Sequence, residues 1–251
     1  MRHCWVLFGI LLLFAACKSK QLVQHVAEVE TGYVLLDSLT AADANIEALI
    51  NPYRTTLERE MNLPLGELAV TLTKRRPNSN LGNWFSDILE ETGRFIYEGK
   101  QVDFAIQNYG GLRINALQKG ILKVGDIYSL MPFDNTLVLV AMDQSVFQQL
   151  MDLMAASGGW PISKSLSYTL QNEKAVDILI NDQPVVERDS FYVLMPDYVA
   201  NGGSSCSFLK NCSRHNAQLF IRDLVIEYLS ELQGQGLTAP IDTTQRIKIK
   251  S

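Results

Sequence analysis

The sequence predicts a mixed α+β fold in which a mixed sheet is layered with helices. Strand-like and amphipathic helical segments alternate irregularly along the chain, whereas a doubly wound sheet would alternate them regularly. The pair Asn181-Asp182 between two apolar segments predicts a hairpin turn. Residues 40–251 contain no internal repeat and no linker-like stretch, so we expect a single domain over residues 41–251.

The first elements follow from the spacing of apolar residues. Ile46 to Leu57 show helical spacing, and Pro52 is expected to kink or interrupt that helix. Residues 66–73 alternate and are rich in Val, Leu and Thr, which is typical of a strand. A second amphipathic helix covers residues 84–96, with Asn80 or Asn83 as its N-cap.

The later elements are predicted in the same way. Residues 102–107 form a strand that leads into a glycine-rich turn at 108–113. Helices are expected at residues 146–154 and 219–232, and further strands at 137–142, 166–171, 176–180, 191–195 and 246–249.

The N-terminus indicates export. Trp5 to Ala16 are twelve apolar residues, too few for a spanning helix and typical of a signal peptide. Small residues directly before Cys17 resemble a bacterial lipobox, although a plain secretory signal is the alternative. We therefore expect a signal peptide at 1–16, lipidation of Cys17 and a tether at 17–40. The protein would be anchored by lipid to the cell envelope, facing the periplasm or the exterior.

Two further cysteines lie near the C-terminal end of the sequence. Cys206 and Cys212 would lie in an oxidising compartment, so we expect a disulfide between them rather than two free thiols.

The chain has 22 Lys+Arg against 27 Asp+Glu and a net charge of −5. It has no basic run longer than residues 74–76, so nucleic acid is not an expected partner.

Common catalytic motifs are missing from the sequence. Downstream of Cys17 the only histidines are His25, in the tether, and His215, which we expect on the surface at a helix start. Two-metal phosphatase sites need several converging His and Asp ligands, and no such stretch is present. A glycine-flanked serine nucleophile and a Walker-type loop are also missing. We therefore predict no catalytic residue, no metal ligand and no cofactor in this chain.

Four stretches have the chemistry to bind a planar anionic ligand. They are residues 74–76 (Lys-Arg-Arg), 108–113 (Asn-Tyr-Gly-Gly-Leu-Arg), 132–135 (Pro-Phe-Asp-Asn) and 198–204 (Tyr-Val-Ala-Asn-Gly-Gly-Ser). Arginine offers forked donors to phosphate, aromatic rings stack on bases, and glycine lets the backbone approach a ligand. Each stretch alone is a weak indication, and their order along the chain strengthens it.

That order resembles the C-terminal, substrate-recognition domain of the 5'-nucleotidase family. The resemblance covers residues 66–250. It includes Asn80-Leu81-Gly82-Asn83, residues 102–113, Gly125-Asp126-Ile127-Tyr128 before residues 132–135, Asn201-Gly202-Gly203 and the closing Arg246-Ile247.

The resemblance implies roles for individual residues. Phe133 and Tyr198 would stack the nucleobase, and Asn108 would hydrogen-bond its edge. Arg75 and Arg113 would hold the phosphate, although Arg76 is an equally basic neighbour of the former.

Gly158 would form part of the pocket wall, whereas Trp160 would serve packing. A departure from the family pattern stands at Ser204, where the family usually has an Asp that accepts hydrogen bonds from ribose hydroxyls.

A second departure is the missing metal-bearing domain, which precedes this one in family enzymes. The sequence therefore suggests a nucleotide-recognition lipoprotein that acts in nucleotide hydrolysis with a separate metallophosphatase chain, which would supply divalent metals. The alternatives are a lipoprotein that binds a nucleotide or related phosphorylated molecule without catalysis, and a purely structural role.

Overall fold

A computed structural model of the chain describes residues 32, 43–185 and 189–250. The predicted signal peptide and tether, at residues 1–40, lie outside the described residues apart from Gly32. The chain divides into two compact units, Met1–Ala48 and Leu49–Ser251, and the second contains every strand described below.

The first helix is longer than the sequence predicts. Helix α1 spans Ala44–Met61 and includes Pro52, so of the two expected effects of this proline, a kink or an interruption, the interruption does not occur. A proline removes only one backbone donor, and the helix continues past it, with the Thr56 hydroxyl donating to the Pro52 carbonyl oxygen at 3.2 Å. No helix within the described ranges is long and apolar enough to cross a membrane.

The predicted strand at residues 66–73 is two short strands that pair with different partners. Strand β1 (Pro64–Leu68) runs antiparallel to β5 (Gly120–Lys123), and β2 (Leu72–Thr73) runs antiparallel to β4 (Ala116–Leu117). The chain bends after Leu68, which separates the two ladders.

Helix α2 (Asn80–Ile96) is capped by Ser79 and not by either asparagine that the sequence suggested. The Ser79 hydroxyl accepts from the Gly82 N–H at 2.9 Å. The Asn80 side chain instead accepts from the Thr73 N–H at 2.7 Å, which ties the helix to β2. An N-cap residue has extended backbone and precedes the helix, a condition that Ser79 meets (φ −149°, ψ 118°).

A four-stranded sheet forms the centre of the fold, with strand order β11-β6-β10-β3. Only the β10–β3 pair is parallel. The strands are β3 (Phe104–Ala105), β6 (Thr136–Met142), β10 (Phe191–Pro196) and β11 (Ser213–Phe220).

The two faces of this sheet carry different cores because side chains alternate along a strand. On β6, Leu137 and Leu139 belong to the core that includes α2 and α6 (Ile221–Gly234), whereas Val138 and Val140 belong to the core that includes α4 (Gln144–Ala156). This layering confirms the predicted α+β mixed-sheet fold.

A second mixed sheet has strand order β12-β7-β8-β9. Its strands are β7 (Leu166–Gln171), β8 (Lys174–Ile180), β9 (Gln183–Pro184) and β12 (Ile247–Lys250), and β12 runs parallel to β7. The predicted turn at Asn181 and Asp182 joins β8 to β9, and both residues have positive φ as such a turn requires (50° and 60°).

Strand β11 is missed by the sequence analysis, which placed His215 at a helix start. His215 lies within β11 and pairs with Leu139. Most of the strand's residues are exposed, so its apolar pattern is weak, and its backbone pairing with β6 is what fixes it at the sheet edge. Short helices α3 (Val124–Leu130) and α5 (Asp197–Ala200) complete the described elements.

Candidate nucleotide-binding site

Three loops meet at a pocket of about 370 Å³. They are the loop after β3, the loop between α3 and β6, and the segment that begins at α5. The pocket is lined by Asn108, Gly110, Gly111, Arg113, Phe133, Asn135, Tyr198 and Ser204. Four of the six predicted binding residues are therefore neighbours in space, together with the serine that departs from the family pattern.

Two aromatic rings lie in the pocket wall and are open to solvent. Phe133 is 39% exposed and Tyr198 is 48% exposed. Half-exposed rings at a concave surface offer free faces for stacking on a planar ligand.

Asp197 links the two loops that carry these rings. Its Oδ1 accepts from the Tyr198 N–H at 2.8 Å and from the Thr136 N–H at 3.1 Å. The loop before β6 has a second anchor, because Asp134 Oδ1 accepts from Arg222 Nη2 at 2.8 Å. The Asp134 carboxylate thus anchors the loop before β6, and the Asp197 carboxylate anchors the first residue of β6.

A close backbone approach at Gly203 sets the position of Tyr198. A Cβ built at Gly203 would overlap the Tyr198 ring and would lie 2.6 Å from the Tyr198 carbonyl oxygen. Contacts this short do not occur for real side chains, so only glycine fits here without movement of the ring or the backbone.

Asn108 is 5% exposed, and both ends of its amide group have partners within the protein. Its Oδ1 accepts from Gln107 Nε2 at 3.0 Å, and its Nδ2 donates to Ser204 Oγ at 3.2 Å. A primary amide has two N–H donors and two carbonyl lone pairs. One donor and one lone pair therefore stay available to a ligand.

Three positive side chains, of which Arg113 lines the pocket, lie against aromatic rings. The Arg113 guanidinium carbon is 5.4 Å from the Phe133 ring centre. Lys74 Nζ and the Arg76 guanidinium carbon lie 4.3 Å and 4.0 Å from the Tyr109 ring centre. Burial, and then the charges of Arg113 and Arg76, lower the pKa of Lys74. Burial is the larger cause of this lowering, and the two neighbouring positive charges add to it.

No ion pair joins Lys74, Arg76 or Arg113 to a carboxylate in the part of the chain that the structure describes. Lys74 Nζ donates instead to the Leu112 carbonyl oxygen at 2.6 Å. The cations are thus placed by rings and carbonyl groups, which leaves their charge unneutralised.

Two predicted residues lie outside the pocket lining. Arg75 is exposed, and its neighbour Arg76 is the one that lies over Tyr109. Gly158 has φ +80°, and a Cβ there would lie 3.5 Å from the Arg76 side chain. Gly158 therefore borders Arg76 and not the residues of the pocket wall.

The sequence analysis did not single out Tyr109 or Asp197. Tyr109 directly follows Asn108 in a stretch already noted, and only the structure shows that two cations lie on its ring. Asp197 precedes Tyr198, but an acidic residue at a strand end gives no indication that it also accepts from the first residue of β6, 61 positions away.

The predicted disulfide is absent from the structure, where Cys206 and Cys212 are free thiols. Their sulfurs face different carbonyl groups, since Cys206 Sγ lies 3.7 Å from the Ser204 oxygen and Cys212 Sγ lies 4.0 Å from the Phe208 oxygen. Short sequence separation does not by itself bring two sulfurs together, and here the 3-10 turn Ser207–Leu209 lies between the two cysteines. Burial raises the pKa of Cys206 to about 12.

The described residues do not provide the ligands of a two-metal centre. Among residues 32, 43–185 and 189–250, no group of three or more His, Cys, Asp or Glu side chains is placed to hold a metal ion. The two carboxylates nearest the pocket, Asp134 and Asp197, are engaged with Arg222 and with backbone N–H groups.

Comparison with known sequences identifies the family of this chain. Residues 63–211 match the family described as 5'-nucleotidase, C-terminal domain. Over 185 residues the chain is 28% identical to the endonuclease YhcR of Bacillus subtilis, which covers 70% of this chain and 14% of that protein. It is 24% identical over 178 residues to a 5'-nucleotidase of Vibrio vulnificus, which covers 68% of this chain and 31% of that protein.

Solved structures show the same fold. The 5'-nucleotidase precursor of Thermus thermophilus superposes with a TM-score of 0.67 at 22% identity, over 81% of this chain and 42% of that one. The NAD nucleotidase of Haemophilus influenzae gives a TM-score of 0.61 at 19% identity, over 83% and 42%. The chain spans less than half the length of each of these four proteins. Through residues 63–211, this chain belongs to the family of 5'-nucleotidase C-terminal domains.

Proposed function

We propose that this chain binds nucleotides, with the base between Phe133 and Tyr198 and the phosphate against the nearby cations. The observation that supports this most directly is that both half-exposed rings and Arg113 line one pocket. Its volume of about 370 Å³ falls within the range of about 300–1,000 Å³ typical of small-molecule sites.

Stacking on the two rings would supply the part of the affinity that does not depend on which base is bound. A base on an aromatic ring contributes about 1–3 kcal/mol, so two rings are enough for measurable binding without any other contact. The donor and the lone pair left on Asn108 suit the edge of a base that has both an acceptor and a donor.

The positive side chains would hold the phosphate. Arg113 is the cation in the pocket wall, and Lys74, Arg75 and Arg76 follow one another on the strand-to-helix loop. Charge-assisted hydrogen bonds to phosphate contribute about 1.5–3 kcal/mol each, and arginine can make them in pairs. The chain has a net charge of −5, so this local excess of positive charge is a specific feature of the site.

The proposal extends to nucleotide hydrolysis in which a separate metallophosphatase chain supplies divalent metals. The described residues offer no fitting metal ligands, so this chain would contribute recognition and orientation of the nucleotide. We also propose that the protein is exported and anchored through a lipid on Cys17, which keeps the site in the cell envelope.

A second candidate is nucleotide binding without hydrolysis, as in a scavenging or sensing lipoprotein. It agrees with residues 43–185 and 189–250, which contain no metal-ligand group, because a pure binding function needs none. The two candidates share the pocket and differ in whether a metallophosphatase turns over the bound ligand.

Calorimetric titration of the full-length chain, in mild detergent, with AMP tests the binding proposal. We expect micromolar to millimolar affinity, and a loss of about 5- to 150-fold in Phe133→Ala, which removes one stacking face. Phe95→Ala is the matched control, because Phe95 is 83% exposed on α2 and does not line the pocket. Absence of AMP binding to the wild-type chain, or an equal loss in both variants, would contradict the proposal.

Phosphate release from AMP separates the two candidates. The chain alone with Mg²⁺, Mn²⁺ or Zn²⁺ should release none, whereas its mixture with a metallophosphatase from the same genome should exceed that enzyme alone. Binding that never increases hydrolysis by any such enzyme favours the scavenging or sensing function. Turnover by the pure chain with metal alone would overturn the two-chain proposal.

A further inference from the structure

A groove with carboxylates in its wall lies between the C-terminal end of α1 and helices α3 and α6. It has a volume of about 530 Å³ and shares no lining residue with the candidate nucleotide-binding pocket. Its carboxylates belong to Glu60, Asp223 and Glu227, which are all exposed, and its lining contains no lysine or arginine. We call this surface the acidic groove.

The protein itself neutralises little of the charge of the acidic groove. Asp223 lies 3.6 Å from Arg222 Nε, and the same guanidinium group is also held by Asp134. Glu60 and Glu227 make no ion pair with any residue that the structure describes. The groove therefore presents a negative potential, which favours a positively charged partner.

The rest of the lining of the acidic groove is mostly apolar. Met61, Leu63, Val124 and Ile226 contribute to it, and Leu63 is 52% exposed. An exposed apolar surface that is bordered by polar groups is typical of a site of protein–protein contact.

This apolar surface extends along helix α1. Ile50, Tyr53 and Leu57 recur at helical spacing and are 41%, 76% and 57% exposed, and no residue of α1 is buried. The same three residues line a surface cavity that also includes Glu60, so this cavity adjoins the acidic groove. An amphipathic helix takes most of its stability from packing of its apolar face. A partner bound in the groove can supply that packing.

We propose that the acidic groove docks a separate protein through a basic segment that carries apolar side chains. The carboxylates of the groove attract the lysines or arginines of the segment, and the apolar lining receives the side chains between them. The same carboxylates oppose an anionic lipid surface, because like charges repel. The proposal goes beyond nucleotide binding and does not depend on it, since groove and pocket share no residue.

Titration of the full-length chain, in non-ionic detergent, with a synthetic peptide tests the proposal. The probe has two central leucines flanked on each side by lysine and arginine, with both termini blocked. A second peptide has serine in place of each leucine. The leucine peptide should bind the wild-type chain with a Kd below about 1 mM, and at least about fivefold more tightly than the serine peptide.

Variants of the chain locate the bound peptide. Glu60→Lys/Glu227→Lys should weaken the leucine peptide at least about tenfold, because two attractive charges become repulsive. Glu98→Lys/Glu173→Lys makes the same change in net charge at two exposed residues outside the groove, and should stay within about twofold of wild type. Leu63→Ser keeps all the carboxylates and should weaken the peptide at least about threefold.

Absence of peptide binding to the wild-type chain, equal losses in the two double variants, or equal affinity for the two peptides would each overturn the proposal. Unchanged affinity in Leu63→Ser would do the same, even if Glu60→Lys/Glu227→Lys does not fold. Self-association of the wild-type chain in sedimentation, lost in that double variant, would assign the groove to a second copy and overturn the separate partner. The AMP titration is a different measurement, so each of these failures leaves the proposed function intact.

Discussion

Replacement of Gly203 by alanine tests whether the position of the Tyr198 ring controls ligand binding. The new Cβ would overlap the ring and would lie 2.6 Å from the Tyr198 carbonyl oxygen. The ring can rotate away, but the carbonyl belongs to α5 and can only move with its backbone. Overpacking of this kind costs about 1–3 kcal/mol of folding stability.

The same displacement removes one stacking face from the pocket. Loss of about 1–3 kcal/mol of stacking should weaken AMP about 5- to 150-fold, as measured by calorimetric titration beside a thermal unfolding scan. Gly234→Ala serves as the control, because a Cβ at this last residue of α6 meets nothing within 4 Å. Unchanged Kd and Tm in Gly203→Ala would refute the argument that this glycine is required by the close approach of the ring.

Four further predictions concern individual polar side chains and a thiol. Arg246→Met should destabilise the fold by about 3–5 kcal/mol in urea unfolding, because Arg246 is 4% exposed and pairs with Asp242 at 2.6 Å; a loss below 1 kcal/mol would contradict this. Burial would raise the pKa of Asp242, but hydrogen bonds from Arg246 and Thr244 outweigh it and hold the pKa below the ordinary value of an aspartate. Stability from Asp242 should thus be complete at pH values well above that ordinary pKa and be lost as the pH falls through the lowered pKa of the folded state, and Asp242→Asn should flatten that part of the stability profile. Asp197→Ala should weaken AMP binding whereas Asp197→Asn, which keeps an acceptor oxygen, should stay within twofold of wild type; equal losses would show that acceptance by Oδ1 is not what matters. The thiol of Cys206 should resist alkylation at pH 8 in the native protein, since burial raises its pKa to about 12, and rapid labelling or a disulfide on mass analysis would contradict this.

The sequence predicts the fold class and most of the long elements because their apolar patterns are strong. Strand β6 and helix α4 agree with the predicted ranges to within two residues at each end. The elements that are not predicted are those whose extended backbone depends on pairing with a distant part of the chain. Strand β11 is mostly exposed and owes its extended backbone to β6, and the two short strands in residues 64–73 are separated by their different partners.

For the site as well, local motifs predict the residues, whereas only the structure shows how those residues contact one another. Asn108, Arg113, Phe133 and Tyr198 were expected from ordered motifs, and they line one pocket. The motifs could not show that the Asn108 amide is already engaged at both ends, since its partner Ser204 is 96 residues away. Nor could spacing show which of two adjacent arginines reaches Tyr109, because neighbours on a loop can point in very different directions.

The arginines of this protein have two kinds of partner, carboxylates and aromatic rings, and this difference explains why the pocket is suited to an anion. Arg222 and Arg246, which are largely buried, are each paired with carboxylates, which offsets the cost of removing their charge from water. Arg76 and Arg113 lie against aromatic rings instead.

A ring fixes the position of a guanidinium group without neutralising it, so the charge and the donors stay available to an incoming phosphate. In the proposed function, Arg76 and Arg113 would therefore supply the part of the affinity that depends on the phosphate.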